Sequence, residues 1–464
     1  MWRRICDLLL ILSVVSISNA AISQENALKK IKNQQEDFKI FKTTLMECHA
    51  GLYDYNDTSE IVGLFNELEE QLTSQVFSQI ELFGLYTRFI TKLNCIHSVV
   101  GYKKIRELNP GVYNFSKLFY FCNGELSVTD NYSFTNFNLF KGDVVHKING
   151  ESVNELVDLL FCFIPSDGNN TSYKLEKLKY KFFVFYALFH KPLENQVDLQ
   201  IIHQSDTIQE TFYYNEVILK KQKVKAPKKV KLDFFEIEQS KKLSILTLPV
   251  PLEKTKSFNK KLNSCFSEIS ENQIQHLIID LRNNPGGKTQ KELLEYLIDQ
   301  RIIVCKRTYI PLHDATYKNY FMKKFSFKYR ISNLLGRMVM FPSETILSPK
   351  SYFNGQIYIL INGRTGSAAS NLASILKEWT NAIIIGQESG GGYKSCNSGG
   401  TILKLPNSQL LIPIRSAKFE NNVLVSYEHD GVTPDYLIPD QCGDDLKVDV
   451  EMEFVLQLIT NYKQ

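Results

Sequence analysis

The sequence predicts an α/β protein: a helical region at the N-terminus, a β-rich region after it, and a C-terminal core in which buried strands alternate with helices. Three observations predict this. Over residues 25–95 apolar side chains recur at helical spacing, as in Phe38, Phe41 and Leu45, or Ile61, Leu64, Phe65 and Leu68. Over 105–218 the pattern changes to short alternating segments. After residue 233 come continuous apolar runs such as Leu277–Ile279 and Tyr358–Ile361, each followed by a glycine-containing turn and a helix-period stretch, the signature of strands covered on both faces.

The chain of 464 residues is 44% hydrophobic and 22% charged, which is ordinary for packed domains. A formal charge of +4 is small for this length and argues against nucleic acid or an acidic membrane surface as the main partner. Residues 1–20 read as a secretory leader, with Arg3 and Arg4 before the apolar run Leu8–Val15 and Ser18-Asn19-Ala20 at the expected cleavage point. Export to a periplasmic, extracellular or cell-surface location is therefore expected, with no integral membrane span once the leader is removed. Nine Cys, one of them within the leader, do not amount to a disulfide-built scaffold, and no Cys-x-x-Cys pair marks a structural zinc site.

In chain order, 25–104 is expected to be a cap of three helices. His49 lies between the first two and His97 follows the third. Within 105–218 the phrase Leu139–Val153 (LFKGDVVHKINGESV), followed by a helix-period stretch, resembles the PDZ signature: a Gly-Asp turn enters a strand and an Asn-Gly turn leaves it. PDZ domains bind extended peptides by strand addition. The apolar Leu118–Phe121 fits the first strand, and Ile164–Tyr186 reads as an insertion with its own helix. Seven Lys within 220–231 mark a solvated linker, 219–232. In 233–464, strands are expected at Leu243–Leu248, His276–Leu281, Ile302–Cys305, Tyr358–Ile361 and Ile383–Ile385, with helices at Phe258–Ile269, at Lys288–Asp299 and after Ser367.

Ser367 carries the chemistry. The strand Tyr358–Ile361 turns through Asn362-Gly363-Arg364-Thr365-Gly366 and delivers a serine to the first turn of a helix, beside unpaired backbone N–H groups. The same position suits a plain N-cap. Four ordered phrases decide between the two: Leu277–Gly287 (LIIDLRNNPGG), Asn362–Ser370 (NGRTGSAAS), Ile384–Gly392 (IIGQESGGG) and Glu428–Asp435 (EHDGVTPD). Together with the PDZ-like segment they resemble the C-terminal processing, or tail-specific, serine peptidases. That resemblance implies a crotonase-like β-β-α spiral for the core and peptide-bond hydrolysis by Ser367. It also implies a peptide or unfolded-protein substrate and needs no cofactor or metal.

The family activates its serine in two ways. In the lysine-dependent branch the base falls in register with Gly392, so the lysine is missing, and Lys394 is the nearest alternative. The tricorn-like branch pairs the serine with a histidine of the helical region and a glutamate ahead of a Gly-Val-x-Pro-Asp phrase, which here are His97 and Glu428. A histidine base near neutrality takes the serine proton while a carboxylate holds the imidazole tautomer. Ser367, His97 and Glu428 are thus the expected triad, with His49 as reserve base. Ala368 and one of Gly286 and Gly287 are the expected oxyanion donors. Two further readings are a Ser367/Lys394 dyad and a peptide-binding protein that keeps the fold without activity. The oligomeric state is not legible.

Overall fold

The computed structural model describes residues 2–101 (2–23 as backbone), 110–134, 137–190, 196–213, 234–248, 256–287, 290–310, 312, 315–322, 343–350, 352–424, 431–440 and 448–461. The Lys-rich segment 220–231 and Glu428 lie outside the described residues. Among the described residues no helix is long and apolar enough to cross a membrane.

Helices α1 (Trp2–Cys48), α2 (Thr58–Ser74) and α3 (Gln79–Thr91) form the N-terminal cap. Asp57 and Ser78 begin α2 and α3 through capping boxes closed by Glu60 and Glu81, each satisfying two otherwise orphaned donors. The apolar faces meet in a ring cluster of Phe38, Phe41, Phe65, Tyr86 and Phe89, with Phe41 edge-on to Tyr86 at 4.9 Å. His49 is buried at the end of α1, and burial pulls its pKa from 6.5 to about 4.

The β-rich region opens with a short helix, α4 (Pro110–Ser116), where strands alone are expected. Then come β1 (Phe119–Cys122), β2 (Glu125–Val128), β3 (Tyr132–Ser133), β4 (Asn138–Leu139), β5 (Val144–Ile148), β6 (Glu151–Ser152), α5 (Val153–Phe161), α6 (Ser172–Leu178), α7 (Phe182–Phe189), β7 (Gln196–His203) and β8 (Asp206–Tyr213). The main sheet runs β1-β2-β5-β7-β8, all antiparallel, with β6 paired to β5. The turn signals are met: Gly142 has φ +88°, and Asn149 and Gly150 both have positive φ in the β5–β6 hairpin. The insertion contains two helices rather than one, because Lys179–Lys181 interrupts the helical run. Its Lys179 carbonyl accepts the Phe121 N–H at 2.9 Å, so part of the β1 edge is already occupied.

The core holds β9 (Phe235–Glu238), β10 (Leu243–Thr247), α8 (Lys256–Glu271), β11 (His276–Asp280), α9 (Gln290–Leu297), β12 (Ile303–Tyr309), β13 (Ser343–Ile346), β14 (Gln356–Ile361), α10 (Ala368–Trp379) and β15 (Ile383–Gly386). Strands β16 (Ser395–Ser398), β17 (Thr401–Lys404), β18 (Leu411–Ile414), β19 (Ala417–Asn421) and β20 (Tyr436–Leu437) follow, then α11 (Val450–Asn461). The central sheet is β20-β15-β14-β11-β10-β9, parallel except at β9. Leu372, Ile375 and Leu376 of α10 pack with α8 and α9 on one face, and Val455 and Ile459 of α11 cover the other. Strand β14 is buried on both sides, as its apolar run requires. A second sheet, β13-β12-β19-β16, and the β17–β18 hairpin extend the core towards the cap. There Asp37 of α1 accepts the N–H groups of Asn407 and Ser408 at 3.0 and 2.7 Å.

Arg282, just past β11, ties the sheet to α11. It meets Asp280, Asp449 and Glu451 at 2.7–3.2 Å, with side-chain exposures of 15% for Arg282 and 10% for Asp280. Removing the guanidinium leaves the poorly hydrated Asp280 and Glu451 carboxylates uncompensated. Arg282→Ala is expected to lower the unfolding free energy by about 3 kcal/mol in denaturant titration, with amide protection lost first in α11. A second expectation concerns His49. The unfolded state takes up its imidazole proton below about pH 6.5 and the folded state only near pH 4. The stability His49 contributes is therefore complete above 6.5 and lost as pH falls towards 4. His49→Gln should flatten that decline by up to about 1.4 kcal/mol per pH unit, read from denaturant midpoints near pH 7 and 5.

Candidate active site

Two turns at the C-terminal ends of neighbouring parallel strands build the site, the place where open α/β sheets hold ligands. After β11 the chain runs Leu281–Gly287, and after β14 it runs Asn362–Ser367. The Asn362 side chain accepts the N–H groups of Asn283 (3.0 Å) and Arg364 (3.1 Å). Thr365 Oγ1 donates to the Leu281 carbonyl (2.9 Å), and the Gly366 N–H donates to the Asn284 carbonyl (2.9 Å). Asn284 is fully buried, and its side chain spans from the Leu248 carbonyl to the Gly286 N–H.

Ser367 emerges from this lacing with φ +50° and ψ −124°, a conformation rare for a residue with a side chain. Although it stands at the N-cap of α10, its side chain makes no capping hydrogen bond. Its carbonyl begins the helix by accepting the Asn371 N–H at 2.9 Å, and the side chain is half-buried.

Glycines crowd this serine. A Cβ on Gly286, itself at φ +109°, would lie 2.7 Å from Ser367 Cβ and 2.8 Å from the Ala368 nitrogen. A Cβ on Gly391 would lie 2.7 Å from the Ser367 nitrogen and 2.6 Å from Ser370 Oγ. Only glycine allows such approach. The Gly390 and Gly391 N–H groups both donate to the Thr365 carbonyl, so the loop after β15 is bound to the serine turn. Of the expected oxyanion pair of glycines, Gly286 has its N–H committed to Asn284 Oδ1 (2.8 Å).

His97 follows α3 in the turn Asn94–Ser98. Its carbonyl accepts Arg415 Nε at 2.7 Å. Nδ1 is buried without a hydrogen-bond partner among the described residues. Burial, then the Arg415 charge, lowers its pKa to about 4. His49 Nε2 instead pairs with Ser98 Oγ at 3.1 Å, beneath that turn.

Asp167, which lies between α5 and α6, escaped sequence reasoning. It is buried, and burial raises its pKa to about 7 against the pull of two N–H donors. These are Ile96 N–H (2.8 Å) on Oδ1 and Gly392 N–H (3.1 Å) on Oδ2. One carboxylate thus joins the cap, the β-rich region and the core. A ring nitrogen of His97, Cys95 Sγ and an Asp167 carboxylate oxygen all lie within 4.8 Å of one another. Burial, then Asp167, pushes the Cys95 thiol up to about 12.

Gly392 has little room for a side chain: a Cβ there would sit 2.6 Å from the Ser395 carbonyl oxygen and 3.3 Å from Tyr55 Oη. Lys394 is half-buried two residues on, and its carbonyl accepts the Asn421 N–H at 2.8 Å. A cavity of about 640 Å³ lies between the β-rich region and the core, lined in part by Phe121, Leu175, Glu176, Lys179, Glu388 and Pro434 and by none of the site residues above.

Residues 237–438 match the sequence model of peptidase family S41. Among solved structures, mature CPAF is similar in fold, with a TM-score of 0.59 at 16% identity over 93% of this chain and 98% of that one. Mature CPAF complexed with lactacystin gives a TM-score of 0.57 at 16% identity over 93% and 99% of the two chains. No curated protein matches the sequence. The motif order and the fold agree with this family match over residues 237–438, and together they support a serine-type peptidase.

Proposed function

We propose that the protein is an exported peptidase that hydrolyses peptide bonds through an acyl-Ser367 intermediate, with His97 as the base and Glu428 as the carboxylate that orients it. The observation that carries this reading is the conformation of Ser367. A serine that only began a helix would spend its hydroxyl on the first turn. Ser367 makes no such bond, and it is held at positive φ against glycines that admit a close neighbour.

His97 takes the Oγ proton as Ser367 attacks the scissile carbonyl carbon. The oxyanion is received by the Ala368 N–H and by the Gly286–Gly287 turn, where Gly287 is the better placed donor because Gly286 already serves Asn284. The proton then passes to the leaving amine, and water repeats the sequence on the acyl-enzyme. We read 233–464 as the crotonase-like core, 105–218 as the PDZ-like module and 25–104 as the cap that brings the histidine. The cavity beside β1 is the proposed approach for a peptide or unfolded segment.

Asp167 favours a second reading for the carboxylate alone, because one of its oxygens lies within 4.8 Å of a His97 ring nitrogen while Asp167 holds Ile96 and Gly392 in place. Under the dyad reading Lys394 would have to reach Ser367 from beyond the crowded Gly392.

A fluorophosphonate probe should label the protein at Ser367, and Ser367→Ala should abolish labelling and lower kcat by about 10⁴-fold or more. Loss of activity in His97→Ala with retention in Lys394→Ala supports the triad; the reverse pattern supports the dyad and overturns it. Comparison of Glu428→Gln with Asp167→Asn identifies the orienting carboxylate. Gly286→Ala, which drives a methyl group into Ser367 and Ala368, should cost about 100-fold or more in kcat.

A further inference from the structure

We propose that Cys95, His97 and Asp167 form a binding site for a thiophilic divalent cation, zinc above others, and that its occupation switches the peptidase off. The regulatory half of this proposal rests on His97 being the base.

The donor set is one thiol sulfur, one imidazole nitrogen and one carboxylate oxygen, a combination that suits zinc and not magnesium or calcium. Their ligand atoms already lie within 4.8 Å of one another. Bonds of about 2.0 Å to nitrogen or oxygen and 2.3 Å to sulfur put tetrahedral ligand atoms about 3.3–3.8 Å apart. Closure therefore asks each atom to move by about an ångström at most.

The frame around the donors is set. Cys95 and His97 share the Asn94–Ser98 turn, closed by the Ser98 N–H on the Cys95 carbonyl at 3.0 Å. Asp167 is fixed from the other side by Ile96 and Gly392, each oxygen keeping a lone pair beyond the N–H it accepts. His97 Nδ1 is buried and has no partner among the described residues, which do not include Glu428.

Binding releases the Cys95 thiol proton to solvent and directs an imidazole lone pair to the metal. An imidazole so engaged is removed from proton transfer with Ser367. Three protein donors leave a fourth position for water, which makes the ion removable by chelators.

The test uses the full chain after chelator treatment. Cobalt(II), the spectroscopic stand-in for zinc, should produce a thiolate-to-cobalt charge-transfer band together with tetrahedral d–d bands. Cys95→Ser should lose the charge-transfer band, and Asp167→Asn should weaken cobalt binding by about tenfold or more. Zinc should inhibit peptide hydrolysis and fluorophosphonate labelling, reversibly with chelator. Cys95→Ser should keep metal-free activity while needing about tenfold more zinc for half-inhibition. Absence of the charge-transfer band in the wild-type chain, with Ser367 still labelling, overturns the site and leaves the peptidase reading intact. A band without inhibition keeps the site but overturns both its regulatory role and His97 as base. Chelation that abolishes activity overturns the inhibitory role outright.

Discussion

The lacing of the turns after β11 and β14 is the constraint on which the rest of the site depends. Parallel strands end side by side, and their carbonyl and N–H groups must find partners once the sheet stops. Here Asn362 and Thr365 reach across to the first turn, the Asn284 carbonyl accepts the Gly366 N–H of the second, and the Asn284 side chain ties its own turn to the Leu248 carbonyl. The chain can then leave β14 only along a path that puts Ser367 at positive φ, with Gly286 and Gly391 packed against it. The strain of that conformation is borne by a buried hydrogen-bond network, so the hydroxyl need not serve as a cap.

A second constraint works at longer range. Asp167 belongs to the β-rich region, yet its two oxygens hold the backbone of Ile96 in the cap and Gly392 in the core. A buried carboxylate is costly unless donors surround it, so this junction favours one mutual placement of the three parts. The His97 turn is also gripped from the core by Arg415 Nε on its carbonyl. These contacts hold the His97 turn of the cap against Asp167 and the core, and the same crowding places Cys95 beside it.

Legibility in the sequence followed the range of the interaction. Strands β10, β11, β14 and β15 were readable because strands buried on both faces need continuous apolar runs, and α10 because Leu372, Ile375 and Leu376 repeat at helical spacing. The β5–β6 hairpin was readable from Asn149-Gly150. Helix α4 is not legible because seven residues carry too little periodicity, and the insertion's two helices are not separable in the sequence because the break at Lys179–Lys181 has no glycine or proline to announce it. Asp167 gave no signal at all: in sequence it is an acid in a polar loop, and its burial arises only when the cap and core close over it.

By itself the sequence carried the resemblance to the C-terminal processing peptidases, the α/β class, Ser367 as the residue of interest and the glycines beside it. Those depend on local chemistry: apolar runs, turn residues and the order of four short motifs. The tertiary structure alone decided that Ser367 does not cap its helix, that Gly286 gives its N–H to Asn284, that position 392 is too crowded for a side chain, and that Asp167 stands with Cys95 beside His97. The first two turn on short-range geometry that the sequence leaves open, whereas Tyr55 beside position 392 and the meeting of Asp167, Cys95 and His97 rest on atoms from segments far apart in the chain. Such contacts leave no local pattern, because the packing that creates them exists only after the chain has folded.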